Sequence, residues 1–255
     1  MARLLVVLSL GLVAVSHSFA QDQGVPRDAK AIAILTQTFK ALGGSLPADS
    51  QASGTFDRVA GSTKDSGSIQ VLTRGYTQTS ETLAVGDTTT QLVFSQGYAV
   101  QKDDRARVRL SLERSLSSDS AIFPLVLVAA AVQDPNSGVQ FIASETVNGV
   151  AAYHVKVWRI ISDQNFAGLS EFAAKDIWVA TDSGLPLEVA YEVRDGDGAA
   201  SGTPVAIFFS DYRSVNGIVY PFLIAKNVNG TPYMTIHISN VSFDTGLTDS
   251  DFALR

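Results

Sequence analysis

Apolar residues follow three patterns along the chain. Residues 4–15 (LLVVLSLGLVAV) form an apolar run, with Met1-Ala2-Arg3 ahead of it and the small-x-small stretch Ser18-Phe19-Ala20 behind. A positive start, a short apolar core and that ending are the parts of a secretory leader. Twelve residues rise only about 18 Å as a helix, short of the ~30 Å hydrocarbon core, so a cleaved leader over 1–20 is expected rather than an anchor. In the second pattern Ile32, Leu35, Phe39 and Leu42 recur at three- and four-residue spacing, with Pro26 and Asp28 ahead and Gly43-Gly44 behind. This predicts one amphipathic helix over 29–42.

From about residue 52 the period becomes two, and Gly, Asn, Asp and Ser punctuate the chain. Strands are predicted over 68–74, 91–96, 98–101, 105–111, 139–145, 151–160, 175–180, 185–193, 205–212, 220–227 and 233–243. The clearest is 185–193, where Leu185, Leu187, Val189, Tyr191 and Val193 alternate with Pro186, Glu188, Ala190 and Glu192. Asn148-Gly149, Asn216-Gly217 and Asn229-Gly230 are dipeptides that type I′ hairpins favour, and Asp182-Ser-Gly184 and Asp195-Gly196 act similarly. The fold class is therefore α+β, mostly antiparallel β, with a single domain over 21–255. No strand–helix alternation and no long repeat divides it.

One segment breaks the two-residue period. Residues 120–132 (SAIFPLVLVAAAV) carry no charge and no hydrogen-bonding side chain after Ser120, between Asp119 and Asp134-Pro135. Pro124 is tolerated only in a first turn, which places a helix start near Phe123. Such a helix is apolar all round and must be covered all round. A sheet covers one side; the other needs a second layer, a partner or an apolar ligand. A helix or central strand in an ordinary core satisfies the same pattern.

Composition narrows the setting. Hydrophobic residues make up 45% and charged residues 17% of the chain, which excludes disorder for its bulk. The net charge of −6, made one unit more negative when Arg3 leaves with the leader, disfavours nucleic acid as a partner. The absence of cysteine excludes disulfides, thiolate metal sites and a cysteine nucleophile. An exported chain without cysteine fits a bacterial periplasm.

Catalytic signatures are missing. Beyond the leader only His154 and His237 remain, both in strand patterns, with no G-x-S-x-G, H-E-x-x-H or phosphate loop. An enzyme would require one of these histidines to meet a carboxylate in a cleft, so none is expected. Asp195-Gly-Asp197-Gly198 starts like a calcium loop, but Ala199 and Ala206 stand where ligands are required, so neither metal nor cofactor is expected. Arg105, Arg107 and Arg109 share one strand face opposite Ala106, Val108 and Leu110. That is a solvated outer face, or one that meets anionic lipid heads.

The order of leader, amphipathic helix, antiparallel strands and apolar segment is joined by four local motifs. These are Asp176-Ile-Trp-Val-Ala180, Thr181-Asp-Ser-Gly-Leu-Pro186, Asp211-Tyr-Arg-Ser-Val-Asn-Gly-Ile218 and Asp249-Ser-Asp-Phe252. Together they resemble the LolA-like outer-membrane lipoprotein-sorting proteins over nearly all of residues 27–255. The resemblance implies an incomplete, curved β-barrel, a half-barrel, closed by a helical lid over an apolar cavity that takes acyl chains. Residues 120–132 then become the lid, with Ile122, Phe123, Leu125, Val126 and Val128 as ligand contacts. Leu187, Val189, Tyr191, Ile207 and Phe209, grouped by alternation on single strand faces, are the contacts from the sheet. The family's lid-holding arginine falls nearest to Arg58, after the strand-like stretch 54–57.

The implied function is non-catalytic. A soluble periplasmic monomer would bind lipoprotein acyl chains or other lipids and move them towards the outer membrane, between an inner-membrane transporter and an outer-membrane acceptor. The alternative is an envelope lipid sensor or protein-interaction module whose cavity is filled. Cavity size separates the two.

Overall fold

The computed structural model describes residues 25–117, 122–159, 170, 172–194 and 202–254. The expected leader, Ser120 and the acidic turn at 195–198 lie outside them. In chain order the elements are α1 (Ala29–Ala41), β1 (Asp49–Ala60), β2 (Thr63–Arg74), β3 (Gln78–Val85), β4 (Thr88–Ser95), β5 (Tyr98–Lys102) and β6 (Arg107–Arg109). Then come α2 (Leu112–Ser117), α3 (Pro124–Gln133), β7 (Ser137–Val147), β8 (Val150–Arg159), β9 (Lys175–Ala180), β10 (Pro186–Val193), β11 (Thr203–Val215), β12 (Ile218–Val228) and β13 (Thr231–Phe243). A short 3₁₀ turn, Asp249–Phe252, follows.

All thirteen strands join one antiparallel sheet in the order β6-β5-β4-β3-β2-β1-β13-β12-β11-β10-β9-β8-β7. The chain meanders from β1 out to β6 at one edge, crosses by way of α2 and α3 to β7 at the other, and meanders back until β13 pairs with β1. The barrel stays open because β6 and β7 do not pair. Curvature is nevertheless strong, since α2 packs against both β5 and β10, strands far apart in the sheet order. The result is a curved, open sheet whose concave face is covered by helices.

Local sequence explains much of this. Asn148-Gly149, Asn216-Gly217 and Asn229-Gly230 take positive φ at both positions, as type I′ turns demand. Gln96-Gly97 does the same at φ 52° and 87° without the dipeptide signal. Asp28 caps α1 by accepting a hydrogen bond from the Ala31 amide at 2.9 Å. Gly43 and Gly44, both at positive φ, end that helix.

Three elements escape the hydrophobic pattern. Strand β1 was legible only over 54–57, and β3 not at all, because both are rich in Ser, Thr and Gln. The strand expected over 105–111 shrinks to three fully exposed residues, and α2 begins at Leu112. A bulge in β10 also alters a face. Pro186 pairs with Val179 and Glu188 with Trp178, so Leu187 is the extra residue. Pro186, not Leu187, therefore shares the inner face with Val189 and Tyr191.

The core lies between the concave face and the helices. Leu35 of α1, Leu125 and Val128 of α3, and Phe56, Ile177, Ile207, Ile224 and Ile236 of the sheet belong to one continuous buried cluster.

Candidate functional site

The apolar helix α3 is the centre of the site. Its first helical residue is Pro124, and Phe123 stands at the N-cap without a side-chain cap bond. Ile122, Phe123, Leu125, Val128 and Ala131 are buried in the common cluster; Val126 and Leu127 are half-buried at its margin. The Phe123 ring lies 4.6 Å from that of Tyr220 and 6.2 Å from that of Phe243, which anchors the start of α3 on β12 and β13. Burial and Glu81 together push the Tyr220 hydroxyl pKa far up, so the phenol stays neutral. On the other side α3 packs against α1, which supplies the second layer that an all-apolar helix needs.

The far end of α3 has no cap of its own, since neither glycine nor a basic residue closes its last turn. Arg27 does that work from outside. Its Nη2 donates to the carbonyls of Ala131 and Val132, both at 3.0 Å, and its Nη1 to those of Asp134 at 3.0 Å and Ser137 at 2.7 Å. A guanidinium at a helix C-terminus satisfies orphan carbonyls and meets the negative end of the dipole. Arg27 is placed there by a short parallel bridge to Val139, in which the Asp28 amide donates to Val139 and the Val139 amide to Pro26. The same bridge covers the edge of β7.

Among the expected sheet contacts, Val189, Tyr191, Ile207 and Phe209 are buried in the cluster that also holds Ile122, Phe123, Leu125 and Val128. Leu187 is carried off that face by the bulge. Arg58 does not hold the helix either. It donates to Asp65 Oδ2 from Nε at 3.2 Å and from Nη2 at 2.7 Å, across the β1–β2 ladder. Asp65 stands directly opposite Arg58 in the β1–β2 register and engages its guanidinium there, away from α3. Sequence could have shown that the end of α3 needed a partner; it could not have shown that Arg27 was that partner.

The space under α3 is small. A cavity of about 70 Å³ lies against Val126, Leu127, Ala130, Val157 and Trp158. Another of about 130 Å³ lies among Leu92, Gln101, Ile122, Tyr191 and Ile207. Ligand pockets typically enclose ~300–1,000 Å³, so neither takes an acyl chain while α3 is seated.

On the convex face His154 does meet carboxylates. Its Nε2 lies 2.7 Å from Asp176 Oδ1 and its Nδ1 3.2 Å from Glu145 Oε1, while Trp178 Nε1 donates to Glu145 Oε2 at 2.6 Å. The imidazole stacks on Trp178 at 4.2 Å. The bonds from Trp178 and His154 hold the Glu145 carboxyl below its usual range. Burial raises that of Glu188, on the neighbouring strand, with His154 opposing and Glu145 adding to the rise. Both ring nitrogens lie against carboxylates, and the group ties β7, β8 and β9 together, an arrangement that braces the strands. His237 is exposed, with no carboxylate partner among the described residues.

The sequence matches no protein-family model and no curated protein. Solved structures do match. A LolA superfamily protein from Nitrosomonas europaea aligns with a TM-score of 0.57 at 14% identity, over 88% of this chain and 97% of that one. The chain shares the fold of that protein. A putative outer membrane lipoprotein-sorting protein domain from Vibrio parahaemolyticus aligns with a TM-score of 0.56 at 16% identity, over 88% of this chain and 96% of that one. A DUF1329 family protein from Desulfovibrio piger gives 0.56 at 14% identity, with the same coverage of both chains. The LolA-like frame thus spans nearly all the described residues of this chain.

Proposed function

We propose that the chain binds acyl chains of lipids or lipoproteins on the concave face, in the place that α3 occupies in the closed form. The observation that carries this reading is the helix itself. It is apolar on every side, it contributes no ladder bond to the sheet, and its C-terminal carbonyls are held by one side chain from outside. A cover attached in this way can leave as a unit. Acyl chains then replace it against Val189, Ile207 and Phe209, each methylene taken from water contributing ~0.8 kcal/mol. No covalent step is needed, and exchange follows opening of the cover.

The leader expected over 1–20, the single domain expected over 21–255 and the lack of cysteine support a soluble monomer of the periplasm. In that setting it carries its cargo towards the outer membrane, from a transporter on one side to an acceptor on the other. The small cavities favour one competing reading, a sensor or interaction module whose interior stays filled.

Native mass spectrometry of the protein purified from its host tests the proposal, together with uptake of a fluorescent fatty acid. Co-purified lipid and saturable uptake are expected, with Arg27→Ala speeding uptake roughly fivefold or more, because it removes hydrogen bonds worth about 1 kcal/mol or more in sum. A clean apo mass, with no uptake by either the parent or the Arg27 variant, establishes the filled-interior reading instead.

A further inference from the structure

The edge at β6 is built differently from the edge at β7. Among the described residues nothing from the N-terminal segment covers it, and all three of its residues are exposed. Val108 is 56% exposed and Tyr98, on β5, 43%; both rank among the most exposed large apolar side chains described. The Arg109 guanidinium lies 4.9 Å over the Tyr98 ring. Arg107 stands directly opposite Lys102 and Arg109 opposite Val100, so Lys102, Arg107 and Arg109 share the convex side of this corner. Like charges placed directly opposite each other in a ladder cost stability.

The nearby acids bond to the backbone: the amides of Arg105 and Ala106, and to a smaller extent the Arg105 charge, hold the Asp103 carboxyl below its usual range. Asp103 turns its Oδ1 to the backbone amides of Arg105 and Ala106, at 2.8 and 2.7 Å, and Asp104 accepts from the Thr89 amide at 3.3 Å. Among the described residues no ion pair joins Arg105, Arg107 or Arg109 to a carboxylate. Lys102 is tied to the Ala253 carbonyl at 3.0 Å. A chain of net charge −6 thus gathers three arginines that no ion pair among the described residues holds, with an exposed tyrosine, at one corner.

We infer that this corner, Tyr98 with Arg107, Arg109 and the adjoining Arg105, is a docking site for the surface of an anionic phospholipid bilayer. Long cationic side chains beside an amphipathic ring match the headgroup region, where Arg reaches phosphate and Tyr sits at the boundary. An added acidic strand fits less well. A three-residue edge strand turns the backbone groups of only about two residues outward, too few for a peptide to pair along it. The inference goes beyond the acyl-binding reading and does not depend on it, since the corner is outside the space that α3 covers.

Sedimentation of the full chain with vesicles tests it, comparing pure phosphatidylcholine with a mixture of phosphatidylcholine and phosphatidylglycerol. Binding to the mixed vesicles is expected to exceed that to the neutral ones at least about tenfold and to weaken as salt rises. The variant R105Q/R107Q/R109Q is expected to lose roughly a hundredfold, about fivefold for each charge, and the corresponding triple lysine variant to keep most of the binding. Thermal unfolding of the glutamine variant is expected to match the parent, because the three side chains are exposed. Equal binding to both vesicle types, or a glutamine variant that binds like the parent, overturns the inference. So does arginine-dependent binding to a polyglutamate peptide without binding to vesicles, which assigns the corner to an acidic protein. Lipid drawn onto the concave face is independent of these arginines, so failure of the corner and failure of the acyl site are read separately.

Discussion

Two charged side chains hold what the strand ladders do not reach. Arg27 closes the end of α3, and Asp49 closes the chain after β13. The Asp49 carboxylate accepts from the Thr245 amide and Oγ1, both at 2.7 Å, from the Gly246 amide at 2.9 Å and from the Leu247 amide at 3.0 Å. Burial alone would push its pKa up; the hydrogen bonds outweigh that and leave it below the ordinary 3.8. A depressed folded pKa means stability that is fully present above the unfolded value and lost as pH falls through the folded one. Asp49→Asn is therefore expected to cost about 2 kcal/mol at neutral pH and progressively less as pH falls below the ordinary carboxylate range, read by urea unfolding across that range. Neither role was legible in the sequence. An aspartate before a strand and an arginine before a helix are ordinary, and their partners lie more than a hundred residues away.

At the scale of elements, α3 was legible in its start and its covering, less so in its end. Pro124 set the first turn and the lack of any polar side chain demanded two covered sides, which the sheet and α1 provide. Positions within it now differ in their expected tolerance. Val128 is fully buried, so Val128→Asp places an unpaired charge in the core and is expected to cost more than about 4 kcal/mol or to abolish folding. Val126 is half-buried beside the small cavity, so Val126→Asp is expected to cost only about 1–2 kcal/mol and, by loosening α3 as Arg27→Ala does, to speed fatty-acid uptake severalfold. Parallel melting curves and uptake assays check the contrast. Equal collapse of both variants would mean that α3 is ordinary core. The strands divide in the same way: Lys175–Ala180 was read to the residue from its alternation, whereas Gln78–Val85 was missed because its Thr and Ser residues carry no apolar period.

At the scale of the molecule, one sheet runs from β6 to β7, and one apolar cluster runs along it from β2 to β7 and takes in α1 and α3. Such a core is expected to unfold as a unit. Calorimetry should show one heat transition with matching calorimetric and van't Hoff enthalpies, unchanged by reductant because the chain has no cysteine. Two resolved transitions would instead divide the meander β1–β6 from the meander β7–β13. The open barrel leaves two edges, and they are handled differently: β7 is bridged by Arg27, while β6 is kept to three residues and flanked by arginines.

The amino-acid sequence by itself determined what local interactions determine. Turn dipeptides placed the hairpins, period-two alternation placed most strands, and Asp28 and Gly43-Gly44 bounded the first helix, because each signal acts within a few residues. Tertiary structure alone decided which strand face looks inward, where a bulge takes Leu187 off that face, and that Arg27 rather than Arg58 holds the apolar helix. Those outcomes depend on register and on contacts across the whole sheet. A backbone carbonyl at the end of a helix announces that it needs a donor, but only the folded chain brings one to it.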